Sequence, residues 1–309
     1  MTTAAETPTQ AAPGAPEPAF HRASEAPSSD YTIPQDWDGY TSEEHGVWDT
    51  LYARLTKVLP GRADQAFMDG LNALDLGAGG IPHFGRMSDE LERLTGWRVV
   101  AVPGLVPDAV FFDHLANRRF PAGNFIRKPD QLDYIQEPDV FHDVFGHVPM
   151  LSNPVFGDYM QAYGQGGLDA LESGCLKNLA ALYWYTVEFG LIRSEGGIRN
   201  YGAGILSSPA ENVFALEDPS PNRLGYDTER LLTTAYRIDD FQQTYFVIES
   251  YEDLLEKTLN TDFDPIYKNL RARGLAGEYA RQPEDVLDSD TVIHRGTQEY
   301  AKRGGRTAA

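Results

Sequence analysis

The chain has 309 residues, with 46 acidic and 26 basic side chains and a formal net charge of −20. That length allows one large domain or two ordinary ones. The acidic balance argues against a nucleic-acid or anionic-membrane partner, because such contact faces need Lys and Arg. The single cysteine, Cys175, excludes an intramolecular disulfide framework and any multi-thiolate metal site. With no apolar signal-like segment near the N-terminus and no apolar run of roughly 18 residues, the default expectation is a cytoplasmic protein that neither enters nor spans a membrane.

Residues 1–32 are rich in Ala, Pro, Thr, Ser and Glu and poor in large apolar residues, so a disordered tail is expected there. From Ser42 to Leu59, Val47, Leu51, Leu55 and Val58 recur at helical spacing, and Pro60-Gly61 closes the segment. A second helix is expected over Ala63–Leu74, then a glycine-rich loop from Gly77 to Gly85. Ser88–Thr95 reads as a helix with Ser88 as its N-cap. The run Trp97–Val102 is the best strand candidate, ended by Pro103-Gly104, and Pro107–Arg118 returns to helix.

Further on, Asp158–Tyr163 and Leu168–Leu171 read as helical pieces, and Leu176–Ile192 as one long apolar helix. Strand signals are then few, at Ile198–Tyr201 and Ile205–Leu206. Thr228–Ala235, Tyr251–Leu259 and Pro265–Arg273 read as helices, the last with Asp264 as N-cap and Gly274 at its end. The expected architecture is a single, mainly α catalytic domain with a few short β-strands, spanning 33–282. A polar C-terminal extension over 283–309 would follow it, frayed over its last eight residues.

Chemistry concentrates in Glu137-Pro-Asp-Val-Phe-His142-Asp143-Val-Phe-Gly146-His147-Val-Pro149. On a regular helix at about 100° per residue, residues five apart point about 140° away from each other. His142 and His147 would not share a face of such a helix. The residue before a proline is disfavoured in the α region, so Gly146 and Pro149 suggest that the helix ends near His147, which would let both imidazoles reach one site. Two histidines so close are also compatible with ordinary core packing, and the pattern differs from the i, i+4 pair of zinc peptidases. The third piece is Glu188, the one acid between Glu172 and Glu195, inside an apolar helix. A buried carboxylate must be protonated, paired or bound to a metal. A salt bridge to Arg193 or Arg199 is the plain alternative. Two His and one carboxylate form the facial triad of non-haem Fe(II) sites.

His142-Asp143-Val-Phe-Gly146-His147-Val148-Pro149, Tyr183-Trp184-Tyr185-Thr186-Val187-Glu188-Phe189-Gly190 and Tyr201-Gly-Ala-Gly-Ile-Leu-Ser207-Ser208 follow one another along the chain. With these motifs the sequence resembles the pterin-dependent aromatic amino acid hydroxylases, in their short bacterial form, from about Tyr31 to about Leu275. The resemblance implies that His142, His147 and Glu188 hold Fe(II). It implies that the segment with Gly104, Leu105, Val106, Asp108 and Phe111 binds a tetrahydropterin (tetrahydrobiopterin or a related reduced pterin), Phe111 stacking on the ring. Asp143 stands on the pterin side of the metal where animal members carry Glu. It is one methylene shorter, a gap that a water molecule can bridge.

For the substrate, the resemblance implies that Arg127 grips the carboxylate, oriented by Asp139. Trp184 and Pro138 would line the ring pocket, and Ser207 would help fix the substrate end and an iron-ligand His. Ile135 stands where animal members place a Thr hydroxyl, which leaves carboxylate recognition to Arg127 and backbone groups. The implied reaction is hydroxylation of L-phenylalanine to tyrosine with O2 and reduced pterin. Trp184 and Val247 favour phenylalanine over tryptophan or tyrosine as the substrate. A tryptophan or tyrosine hydroxylase of the same family, or a zinc hydrolase using the same ligands, is the alternative. No regulatory domain or C-terminal heptad helix of the animal type is recognisable, which implies a monomer without activation by substrate.

Overall fold

A computed structural model describes residues 27–133 and 137–304. In chain order its elements are α1 (Ser42–Leu55), α2 (Gln65–Ala73), α3 (Phe84–Thr95), β1 (Arg98–Val102), α4 (Asp108–Ala116) and β2 (Arg119–Gly123). A π-helical segment, Phe141–His147, leads into α5 (Val148–Leu151), followed by α6 (Pro154–Glu172) and α7 (Leu176–Tyr183). A second π-helical turn, Trp184–Glu188, precedes β3 (Leu191–Ser194), β4 (Gly197–Asn200), α8 (Ala203–Leu206) and α9 (Pro209–Glu217). Then come β5 (Asn222–Gly225), α10 (Thr228–Leu232), β6 (Thr244–Ile248), α11 (Tyr251–Asn260), α12 (Phe263–Ala272), β7 (Val292–His294) and α13 (Glu299–Lys302). The fold is mainly α with short strands, as expected.

β1 and β2 pair in parallel, with α4 as the crossover between them. The larger sheet has strand order β4-β3-β6-β5-β7, parallel at its centre and antiparallel at both edges. One large apolar cluster, including Trp48, Trp97, Phe141, Phe145 and Tyr185, fills the helical part. A smaller one around Phe189, Leu191, Ile205, Phe214 and Tyr245 lies against the sheet.

Several elements depart from the sequence expectations, each for a local or packing reason. α1 stops at Leu55; its start is fixed by a capping box between Thr41 and Glu44. α3 begins four residues earlier than expected, with the His83 ring as its cap. Ser88 is therefore inside the helix, and its hydroxyl accepts from the Val99 amide at 3.0 Å, tying α3 to β1. The two pieces expected between Asp158 and Leu171 are one helix, α6. α12 is capped by Asp262 rather than Asp264, whose side chain accepts from the Asp264 amide. Pro265 then falls in the first turn, where the helix needs no amide donor, so the helix can start before the proline.

The long helix expected over 176–192 ends at Glu188, and Leu191 and Ile192 instead pair with Val247 and Ile248 of β6. A continuous apolar run does not distinguish a buried helix from a buried strand, and here the sheet takes its last residues. Ile205–Leu206 is helical, in α8.

The chain ends also differ. Residues 1–26 of the expected tail lie outside the described residues. Ser28–Thr32 forms a hydrogen-bonded turn, with Asp30 paired to Arg119 at 3.0 Å. The stretch from 283 contributes β7, and its Asp290 pairs with Arg230 at 3.1 Å, both side chains only 5% exposed. Residues 305–309 lie outside the described residues.

Candidate metal and cofactor site

The two π-helical segments carry all three proposed ligands. A π-helix closes i→i+5 hydrogen bonds, so a residue five positions on returns above the first. That converts the spacing of His142 and His147 from opposite faces into one face. The helix does not end at His147, as the sequence suggested; it passes directly into α5. Pro149 lacks an amide hydrogen and its ring crowds the preceding turn, which disfavours regular α geometry there. Glu188 closes the second π turn, where the Phe189 amide donates to the Trp184 carbonyl at 2.8 Å.

Nε2 of His147 lies 3.0 Å from Oε1 of Glu188. Nε2 of His142 lies 3.6 Å from Oε2 of Glu188 and 3.3 Å from Nε2 of His147. Adjacent ligands about 2.1 Å from a six-coordinate metal lie about 3 Å apart, so this donor set fits one ion with three positions left open. The three are the sole such cluster of His, Cys, Asp and Glu among the described residues. The alternative partners of Glu188 are engaged elsewhere: Arg193 with Glu249 at 2.9 Å, and Arg199 with the Ile198 carbonyl. Burial would raise the Glu188 carboxyl, but His147 and His142 outweigh it and hold it well below the usual carboxylate range. Burial likewise opposes charging of His142, and Glu188 outweighs it and raises that imidazole.

The His142 tautomer follows from its other nitrogen. Ser207 Oγ donates to the Ala203 carbonyl at 2.8 Å, so it accepts from His142 Nδ1 at 3.0 Å. With the proton on Nδ1, the Nε2 lone pair faces Glu188 and His147, ready for a metal. α8 reaches this position because glycines allow close approach. A Cβ on Gly202 would sit 2.5 Å from the Glu188 carbonyl oxygen, and one on Gly146 would sit 3.0 Å from that of Ala203.

Asp139 is fully buried and joins two parts of the site. Its carboxylate accepts from Arg127 Nε at 2.8 Å and Nη2 at 2.9 Å, from the Arg127 amide at 2.8 Å, and from the His142 amide at 3.0 Å. Burial opposes its charge, yet Arg127 prevails and keeps the carboxyl below its usual value.

A cavity of about 150 Å³ opens onto the triad. Gly104, Leu105, Val106 and Phe111 from the segment before and within α4 line it, with Pro138, Asp143 and the three ligands. Asp143 accepts from the Gly123 amide at 2.8 Å, and burial pushes its carboxyl up to about 6. Asp108 is at the start of α4 and is not among the lining residues; burial raises its carboxyl too. Tyr183 and Phe120 also line the cavity. Their rings lie 6.1 Å and 5.1 Å from that of His147, and the sequence reading assigns no role to either. Tyr183 belongs to the same motif as Glu188, whereas Phe120 reaches the site by strand pairing alone. Arg127, Trp184 and Ser207 do not line this cavity, and Ile135 lies outside the described residues. Val247 is buried in β6 within the sheet, not at the cavity. A larger groove of about 510 Å³ beside Asp30, Trp37, His83 and Arg119 contains none of the triad.

The profile of the biopterin-dependent aromatic amino acid hydroxylases matches residues 29–298. The chain belongs to this family. A phenylalanine-4-hydroxylase of Caulobacter vibrioides is 63% identical over 90% of this chain and 93% of that protein. Phenylalanine hydroxylase of Chromobacterium violaceum, in a crystal structure with iron and phenylalanine bound, superposes with a TM-score of 0.81 at 50% identity, covering 86% of this chain and 95% of that one. A structure of the same protein with iron(III) and 7,8-dihydrobiopterin gives a TM-score of 0.82 at 51% identity, covering 87% and 95%. In this hydroxylase of the biopterin-dependent family, His142, His147 and Glu188 form the donor cluster that fits an iron ion.

Proposed function

We propose that this protein is a phenylalanine 4-monooxygenase, converting L-phenylalanine to L-tyrosine with O2 and a tetrahydropterin at Fe(II) held by His142, His147 and Glu188. The observation that carries the reading is the convergence of three metal donors beside a cavity lined by the pterin-type segment. The relatives named for phenylalanine hydroxylation, and the neighbours holding iron, phenylalanine or dihydrobiopterin, support it. When bound, iron and reduced pterin supply O2 activation and two electrons, one oxygen atom going to the substrate ring and the other to the pterin.

The chain's own residues bind, orient and desolvate. Ser207 keeps the proton of His142 on Nδ1, leaving Nε2 as a ligand atom. Phe111 offers a π-face to a flat heteroaromatic ring, and the 104–106 backbone offers fixed polar groups. Asp143 uses Oδ2 for Gly123, so Oδ1 is its atom for the pterin, directly or through water. Arg127 spends Nε and Nη2 on Asp139, which presents its Nη1 side to the substrate carboxylate. Trp184 and Pro138 would bound the ring pocket.

No helix among the described residues is long and apolar enough to cross a membrane. We read the enzyme as a cytoplasmic monomer, so sedimentation should give a mass near 34.3 kDa rather than four times that. The deciding assay supplies purified protein with Fe(II), phenylalanine, O2 and a reduced pterin, and follows tyrosine. Absence of tyrosine under these conditions refutes the proposal.

A further inference from the structure

We propose that Gln242, a residue of the loop between α10 and β6, is a positioning residue for ring hydroxylation, acting by fixing the orientation of the Trp184 indole within its stacked plane. This rests on the function proposed above and on Trp184 bounding the ring pocket.

Gln242 is 1% exposed. Its Oε1 accepts from Trp184 Nε1 at 3.0 Å, while its Nε2 donates to the Arg237 carbonyl at 2.7 Å and to the Asp240 carbonyl at 3.3 Å. The amide orientation is unambiguous. An indole N–H can only donate and a carbonyl can only accept, so the oxygen must face Trp184. The Gln242 main-chain N–H in turn donates to Glu211 Oε1 at 3.3 Å, a carboxylate that also accepts from the Tyr245 hydroxyl at 2.8 Å. The other end of the loop is held by the same π turn, through the Tyr185 hydroxyl donating to the Ala235 carbonyl at 2.5 Å.

Between these two anchors the loop places the Tyr236 ring on Trp184, with centroids 4.5 Å apart and planes 19° apart. Phe189 packs against the indole as well, at 4.8 Å and 37°. The stacking contacts limit tilt but leave rotation within the ring plane open. The hydrogen bond to Gln242 removes that freedom. Trp184 and Glu188 begin and end one π turn, so an indole fixed in this way is fixed relative to the metal ligand. A ring that wanders would still permit pterin oxidation while fewer of those events reach the substrate ring.

The test uses the iron-loaded full chain with reduced pterin and phenylalanine. It measures KM for phenylalanine, KM for pterin, and tyrosine formed per pterin oxidised. Gln242→Met keeps the length but removes the acceptor for the indole, together with the two Nε2 bonds to the Arg237 and Asp240 carbonyls. It should raise KM for phenylalanine about 5-fold, as expected for one lost hydrogen bond, and lower the tyrosine yield per pterin. KM for pterin should remain unchanged. In a Trp184→Phe background, where there is no N–H to hold, Gln242→Met should lower the yield per pterin no further, whatever the lost Nε2 bonds do to stability. Trp184→Phe alone removes the N–H while leaving the bonds of Gln242 Nε2 to the Arg237 and Asp240 carbonyls in place, and it should lower the yield per pterin in the same way, which covers the case of a Met variant that does not fold. An unaltered yield in Gln242→Met, a full penalty persisting without the indole N–H, or a wild-type yield in Trp184→Phe overturns the role of Gln242. A wild-type chain that makes no tyrosine overturns the functional reading instead, and this role with it.

Discussion

Replacing Asp139 by Asn removes one charge from a buried pair while keeping the side-chain volume. The parent carboxylate accepts four hydrogen bonds, three from Arg127 and one from the His142 amide. Arg127 is 7% exposed and Asp139 0%, so water cannot take over the lost interactions. Breaking a buried ion pair from one side costs about 3–5 kcal/mol, because the remaining charge stays desolvated and uncompensated. Asparagine retains one acceptor oxygen, which puts the expectation at the low end, about 3 kcal/mol. For a domain of this size each kcal/mol shifts Tm by about 2–4 °C, so a loss of about 6–12 °C is expected by calorimetry of the metal-free protein.

The pH dependence adds a second check on Asp139. Its pKa is depressed in the folded state. Its stabilisation is therefore fully present above the unfolded carboxylate value of about 3.9 and is lost as pH falls through the folded value. The deficit of Asp139→Asn should be flat at neutral pH and shrink only in strong acid. The variant should also raise KM for phenylalanine, since Arg127 loses its anchor. A Tm within about 2 °C of the parent, less than about 1 kcal/mol on the same scale, would refute the claim that this pair is a stabilising hub.

Three further perturbations are expected to separate the parts of the site. Ser207→Ala frees the His142 tautomer and should weaken iron binding about 10- to 100-fold in chelator competition, with little change in Tm. Glu188→Ala removes a ligand atom between the two imidazoles, so the purified variant should carry little iron by metal analysis and form no tyrosine. His114 is fully buried, donates Nε2–H to the Asp30 carbonyl at 2.8 Å, and has no acceptor for its Nδ1 among the described residues. Burial lowers its pKa, so its neutral form contributes stability that is complete above the unfolded value of about 6.5 and declines as pH falls toward the folded value. His114→Gln, which keeps the donor and does not titrate, should flatten the fall of unfolding free energy with pH below about 6.5 in urea titrations.

The chemistry of this protein is written locally in its sequence. His142, His147 and Glu188 could be picked out as candidate metal donors from their residue types, whereas the Gly104–Phe111 segment and Arg127 with Asp139 were named only through the resemblance of the motifs to the family. Composition also excluded a multi-thiolate metal site, since the chain has a single cysteine. The helices with clear apolar periodicity, α1, α2 and α11, could be read as well.

Tertiary structure decided how those residues meet. Helical periodicity at about 3.6 residues per turn cannot place His142 above His147; the π-helical segment Phe141–His147 does, a second one carries Glu188, and their i→i+5 bonds leave no periodic signature. β2 contains a proline and β5 a single large apolar residue, so neither carries a local strand signal, and β3 looks like the end of a helix until β6 claims it. Phe120 enters the site only because β2 pairs with β1, and Gln242 reaches Trp184 across 58 positions of chain. Such contacts come from packing between distant segments, where the energy of burial and of satisfied polar groups outweighs local preference.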